Sequence, residues 1–304
     1  MSDDRGRVTV VTDSAAALPA EVTERYGIRV VPLWLTIGDE RHRDGDITLD
    51  ELVARFDEPL STSAPSPGEY ASVVGEARRD GPVLVLTVAA GMSSSYDAAV
   101  LGAKLVADDD VHIGPAAPPG AGDGEGGAPE VAVLDTGTAA GAQALVVLAA
   151  AEAASGGADL PGVLAAARRV ASRVRLVATV ADLERLARSG RVPEAARWIG
   201  DRLGVRPLFE FRDGRARPLR PAFSGEAARE RIVQRCAADA PGGAPVPGKL
   251  HAVVLHALDP EAAADLEARV SRLSPASCVV GPFSPVMVTH TGRGLAGLAW
   301  WWEP

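Results

Sequence analysis

Val83-Leu84-Val85-Leu86-Thr87-Val88, followed by Gly91-Met92-Ser93-Ser94-Ser95-Tyr96, reads as a strand, a hydroxyl-rich turn and then a helix over Ser94–Ala107. A short apolar run bounded by turn residues is a strand buried on both faces, which is the habit of parallel sheets. One unit earlier, Ser61-Thr62-Ser63-Ala64-Pro65-Ser66-Pro67-Gly68 is a second hydroxyl-rich turn, in front of a helix expected over Pro67–Arg79. Ligands dock at the carboxyl ends of such strands, and a helix that starts there offers unpaired N–H groups and a positive dipole end. The two turns therefore predict a small anion site. Neither contains Lys or Arg, which suits one carboxylate better than a polyphosphate, with serine and threonine as neutral donors.

Outward from this unit the first half alternates strand and helix signals, as a parallel sheet requires. Strands are expected at Val8–Thr12, Ile28–Ile37, Val111–Ile113 and Glu130–Leu134, with helices near Pro19, after Thr48 and from Gly137. Thr48-Leu49-Asp50-Glu51 has capping-box spacing, and Gly114–Pro129 is expected to be a mobile loop because Gly, Pro and Ala dominate it. A soft boundary falls at Gly156-Gly157. Beyond it come a helix at Leu160–Arg173, strands at Arg175–Val180, Val205–Phe211 and Arg215–Leu219, and a helix after Ser224. Strands at His251–His256, Cys278–Gly281, Val286–His290 and Leu295–Trp302 and a helix at Pro260–Leu273 finish the chain. The expectation is an α/β domain at 1–157 and an α+β domain, largely antiparallel, at 158–304.

A chain of 304 residues with 47% apolar and 23% charged side chains can bury a sizeable core. Its net charge of -9, with no run of clustered Lys or Arg, argues against binding to nucleic acids or anionic membranes, which relies on a basic face. The start, Met1-Ser2-Asp3-Asp4-Arg5-Gly6-Arg7, lacks the apolar core of a signal peptide, and Thr136–Ala151 is too short to span a bilayer, so a cytoplasmic protein is expected. Cys236 and Cys278 lie in unrelated segments and read as free thiols. His251 and His256 would face opposite sides of one strand, and no metal site is expected.

Two readings of the serine turn compete. The strand–turn–helix setting matches a hydrolase nucleophile elbow with Ser93 as nucleophile and His290 as base, yet Ser95 stands where the second glycine of G-x-S-x-G belongs. Ser93 or Ser94 could instead only cap the helix. Gly292-Arg293-Gly294-Leu295-Ala296-Gly297 fits a dinucleotide fingerprint literally but leaves too little chain for the rest of the unit. His42-Arg43-Asp44 echoes a kinase catalytic loop without any phosphate loop, and is read as chance.

As a set, Thr62-Ser63-Ala64-Pro65-Ser66-Pro67-Gly68-Glu69, Gly91–Ala99, Asp182–Leu186 to Gly190-Arg191-Val192, and Gly281-Pro282 to Thr289-His290-Thr291-Gly292 resemble the DegV family in order and spacing, as does Val10–Ala16. The resemblance covers nearly the whole chain. It implies two domains, the first Rossmann-like, and a non-catalytic carrier that buries a long-chain fatty acid and in some members presents it to a fatty acid kinase. By the same resemblance Thr62 and Ser93 hold the carboxylate, His290 approaches it, Arg191 lies beside the mouth where a kinase docks, and no cofactor is used. Ala64, Ser94 and Arg293 depart from the family pattern but keep the hydroxyls. Ala222-Phe223-Ser224-Gly225 replaces a basic stretch found in many relatives, so Phe223 and Gly225 imply weaker or different kinase coupling.

Overall fold

The computed structural model describes residues 6–107, 111–115, 130–181, 183–192, 205–212, 214–241 and 249–303. The first half runs β1 (Thr9–Asp13), α1 (Ala20–Tyr26), β2 (Arg29–Val31), β3 (Trp34–Ile37), β4 (Glu40–Arg43), α2 (Leu49–Ala54) and β5 (Leu60–Ser63). It continues through α3 (Pro67–Ala77), β6 (Val83–Thr87), α4 (Ser95–Ala107), β7 (Val111–Pro115), β8 (Val131–Asp135) and α5 (Ala140–Ser155). The second half comprises α6 (Leu160–Ala171), β9 (Arg175–Thr179), α7 (Leu183–Arg188), β10 (Arg206–Arg212), β11 (Arg215–Ala222) and α8 (Gly225–Ala238). It ends with β12 (Leu250–Ala257), α9 (Pro260–Ser271), β13 (Ser277–Pro282), α10 (Pro285–Thr291) and β14 (Leu295–Trp302).

Three sheets result. One has the order β2-β1-β6-β8-β7 and every pairing is parallel. All five residues of β6 are buried, because helices cover both faces of its sheet. The second has the order β11-β10-β9-β14-β12-β13 and is antiparallel except between β12 and β13. The architecture is therefore α/β, as expected. Residues 157 and 158, the expected boundary, lie in the connection between α5 and α6. Helix α5 is apolar almost all round and packs on β1 as well as on β12 and β14, so both sheets share one core. A Cβ on Gly141 would come within 2.9 Å of Val253, which is why only glycine lets α5 approach β12 so closely.

Three expectations about elements are corrected. The strand expected at Ile28–Ile37 is two strands in different sheets. Pro32 removes a ladder donor between them, and the Leu33 amide donates to Ser14 Oγ at 3.1 Å instead. Strand β3 joins β4 and β5 in a small antiparallel sheet that the sequence pattern did not reveal. Ser61–Ser63, expected as turn, is the body of β5, with Thr62 opposite Leu35. Val286–His290, expected as a strand, is the body of helix α10. Pro285 at its first position has the backbone angle a helix start needs, and the Thr289 and Thr291 hydroxyls bond back to the carbonyls of Pro285 and Met287, which offsets the weak helix propensity of β-branched residues.

The capping box at Thr48 and Glu51 is present, and Ser66 with Glu69 forms another at the start of α3. Gly114 and Pro115 end β7. The rest of the expected 114–129 loop, 242–248, Asp182 and Asp213 lie outside the described residues. Cys236 and Cys278 are free thiols. Among the described residues no helix is long and apolar enough to cross a membrane.

Candidate functional site

Antiparallel pairing with β3 fixes which face of β5 each side chain takes, and Thr62 is half-buried between two exposed serines. The other hydroxyl-rich segment follows β6. There the Ala89 amide donates to the Thr138 carbonyl at 2.8 Å, and the Ala90 amide reaches the Asp135 carboxylate at 3.3 Å. These bonds tie the turn to the β8–α5 connection. Ser93 Oγ accepts from the Ser95 amide at 3.2 Å and lies 3.0 Å from Ser95 Oγ. Ser93 thus closes a local serine turn just ahead of α4, with its hydroxyl at the cavity wall.

Helix α10 carries the third component. Thr62 Oγ1 lies 2.9 Å from His290 Nε2. After α7, Gly190 takes the left-handed conformation at φ +71°, a backbone state that costs glycine little. The chain then turns Arg191 inward, where Nη1 donates to the Ser189 carbonyl at 2.8 Å and Nη2 to Thr62 Oγ1 at 3.3 Å. Thr62, Ser93, Arg191 and His290 line one cavity of about 280 Å³. Its remaining walls are mainly apolar, with Leu33, Val88, Met92, Ala139, Val286 and Met287 among them. The polar end of the cavity therefore carries a guanidinium, which neither hydroxyl-rich segment displays.

Electrostatics follow from burial. His290 is pushed down to about 4, first by loss of water and then by the Arg191 charge beside it. It is a neutral imidazole near pH 7, so it serves as a hydrogen-bond partner and not as a second cation. Its closest hydroxyl is that of Thr62; Ser93 bonds to Ser95 instead. A serine nucleophile needs its base within hydrogen-bond reach, and in this geometry the imidazole serves Thr62.

Sequence reasoning missed Asp44, which stands just after β4. Its carboxylate accepts from Ser14 Oγ at 2.6 Å, Ser284 Oγ at 2.7 Å and the Val286 amide at 3.1 Å. Burial raises its pKa while those three bonds oppose the rise. It clamps the start of α10 to the end of β1 and so sets where His290 lies. The only signal in its neighbourhood was the chance kinase echo, because its partners are remote in sequence. Among the described residues no cluster of His, Cys, Asp or Glu could hold a metal ion.

The model of the DegV family, described as an uncharacterised protein family, matches residues 7–303. The chain belongs to the DegV family. It is 33% identical over 299 residues to a DegV domain-containing protein of Streptomyces coelicolor, covering 96% of this chain and 97% of that protein. With the DegV protein of Bacillus subtilis it shares 28% over 301 residues, covering 96% and 98%. Among solved structures, a fatty-acid-binding DegV family protein from Thermus thermophilus superposes with a TM-score of 0.83 at 30% identity, covering 98% of this chain and 100% of the other. The Bacillus subtilis DegV structure, described as a fatty acid binding protein, gives 0.78 at 26% with the same coverage. The α/β architecture, with its parallel sheet and its largely antiparallel one, is thus that of DegV structures.

Proposed function

We propose that this DegV protein binds a long-chain fatty acid, burying the acyl tail among the apolar walls and holding the carboxylate with Thr62 and Ser93, assisted by Arg191 and neutral His290. The observation that carries this reading is the convergence of Arg191 and His290 on the Thr62 hydroxyl at one end of an apolar cavity. Thr62 Oγ1 can accept from Arg191 and from the Nε2–H tautomer of neutral His290 at once, which leaves the hydroxyl hydrogen free for a ligand oxygen. An arriving carboxylate accepts hydrogen bonds only, and it can take the hydrogens of Thr62, Ser93 and Arg191 together. About 14 methylenes at about 0.8 kcal/mol each give a gross gain on the order of 11 kcal/mol, while the head group loses several kcal/mol of hydration that the donors must replace. The tail drives binding and the donors prevent the head group from opposing it.

Binding, not catalysis, is the role this geometry serves. The expected binding experiment is a titration of delipidated protein with palmitate or oleate. Thr62→Ala and Ser93→Ala should each weaken affinity by about 1–3 kcal/mol while leaving the fold intact; unchanged affinity in both variants would refute the head-group assignment.

A second step is proposed with it: presentation of the bound carboxylate to a fatty acid kinase in the cytoplasm. Exposed Ser63 at the cavity wall gives the head-group end a route to solvent, and Phe223, 78% exposed, offers an apolar contact surface. Reconstitution with the kinase of the same genome tests it. Phe223→Ala should slow acyl phosphate formation at saturating fatty acid without altering fatty acid affinity, and equal rates would remove Phe223 from the docking surface.

A further inference from the structure

The cavity is smaller than the ligand proposed for it. An apolar cavity of about 150 Å³ takes one benzene ring, roughly 25 Å³ per carbon. On that scale the 280 Å³ available here holds on the order of 11 carbon atoms. Palmitate and oleate are longer, so part of the wall must yield to admit them. Most of it is anchored. The Leu33 amide donates to Ser14 Oγ at 3.1 Å, and its carbonyl accepts from the Asp44 amide at 2.8 Å. The Val286 amide donates to Asp44 at 3.1 Å and the Val88 amide to Asp13 at 2.9 Å. Ala15 and Ala139 are too short to make room by rotating, and Val88 and Val286 are stiff at the branched carbon. Leu33 and Leu186 are longer, but both are buried in the main core, where close packing leaves no space to turn into.

Two lining side chains differ from these. Met92 stands beside Ser93, and Met287 lies three residues before His290 on the same side of α10. Both are half-buried and rest against the main core, not within it. Methionine is unbranched, with three rotatable bonds and a polarizable sulfur, so it fills irregular gaps and gives them up at low cost. The chain has three methionines, and the third is Met1; every internal methionine therefore lies on this wall. Along α10 the lining residues change from Val286 and Met287 in the first turn to His290 and Thr291 in the last. Met287 thus flanks the path of the tail and not the head group.

We propose that Met92 and Met287 are specificity-determining residues that swing aside to lengthen the cavity, so that acyl chains longer than its resting size are accepted, an inference that rests on the fatty-acid reading of the cavity. The anchored part of the wall keeps the head-group end in place while the two thioether side chains move.

Titration of the delipidated wild-type chain with decanoate and with palmitate gives the ratio of the two affinities. Each methylene that reaches apolar surroundings multiplies affinity about fourfold, so palmitate should bind more than about a hundredfold more tightly than decanoate; a smaller ratio would mean that the wall stays shut. Met92→Ile with Met287→Ile roughly keeps side-chain volume but stiffens it at the branched carbon, and should cut the ratio at least about tenfold. Met92→Ala with Met287→Ala opens the space in advance and should preserve or raise the ratio. A merely structural pair would weaken both acids alike. The wild type supplies a readout that depends on no variant: with methyl-labelled methionine, the NMR signals of the internal methionines should shift further with palmitate than with decanoate. A ratio unchanged in the isoleucine variant, a ratio that falls as far in the alanine variant, or methionine signals that do not tell palmitate from decanoate would each overturn the proposal. Failure to bind either acid would instead overturn the fatty-acid reading.

Discussion

His290 holds its place as an uncharged ring because burial strips a charged ring of water and protonation would put a second cation beside Arg191. Its folded pKa of about 4 lies below the ordinary 6.5, so the native state binds fewer protons than the unfolded chain between these values. The stability this provides is complete above about pH 6.5 and is lost as pH falls towards 4, by on the order of 3 kcal/mol. Thermal denaturation of ligand-free protein at pH 7 and pH 4.5 should therefore show a smaller acid-induced drop for His290→Gln than for the wild type; equal drops would mean that the imidazole is protonated in the native pocket. A second expectation concerns Ser93. Because the imidazole bonds to Thr62, a fluorophosphonate probe should leave Ser93 unlabelled, and labelling abolished by Ser93→Ala would establish a nucleophile. Thr62, Ser93, His290 and Arg191 could be named from the sequence because they stand in motifs with neighbours that identify them. Asp44 could not, since it is defined by partners remote in the chain.

Among the elements, α10 and the β3–β4–β5 sheet decide the site, and both were misjudged from the sequence. A five-residue apolar and β-branched run such as Val286–His290 fits strand and helix alike; Pro285 and the cap supplied through Asp44 decide for the helix. Alternation across Ile28–Ile37 hid a break at Pro32 because both halves are strands. The central strands of the parallel sheet were legible, since an apolar run such as Val83–Thr87 lies between turn residues and is too short for a helix. Asp44→Ala should release the start of α10. Losing a charged acceptor for three donors costs on the order of 2–3 kcal/mol, and fatty acid affinity should fall although Asp44 lies outside the cavity wall. A melting curve and a binding titration check this together, and affinity unchanged in the destabilised variant would show that α10 is positioned by packing alone. Gly141→Val should destabilise by at least about 1–3 kcal/mol through overpacking against Val253 and Leu255; a melting temperature unchanged or raised would mean that α5 can withdraw from β12 without cost.

For the whole molecule, two sheets share a core through α5, and the cavity lies beside that core where β5, the turn between β6 and α4, α7 and α10 meet. A ligand that fills it binds only the folded chain and stabilises it by mass action, by about 2.7 kcal/mol at a hundredfold excess over Kd. Delipidated protein should melt below the protein as purified and recover on addition of oleate. The most direct measurement is mass spectrometry of the small molecules released when the freshly purified protein is gently denatured. A long-chain fatty acid close to one per chain in the wild type, much reduced in the Thr62→Ala, Ser93→Ala double variant, is the predicted result. A wild-type chain that releases no fatty acid, and gains no thermal stability from added oleate or palmitate, would contradict the assignment.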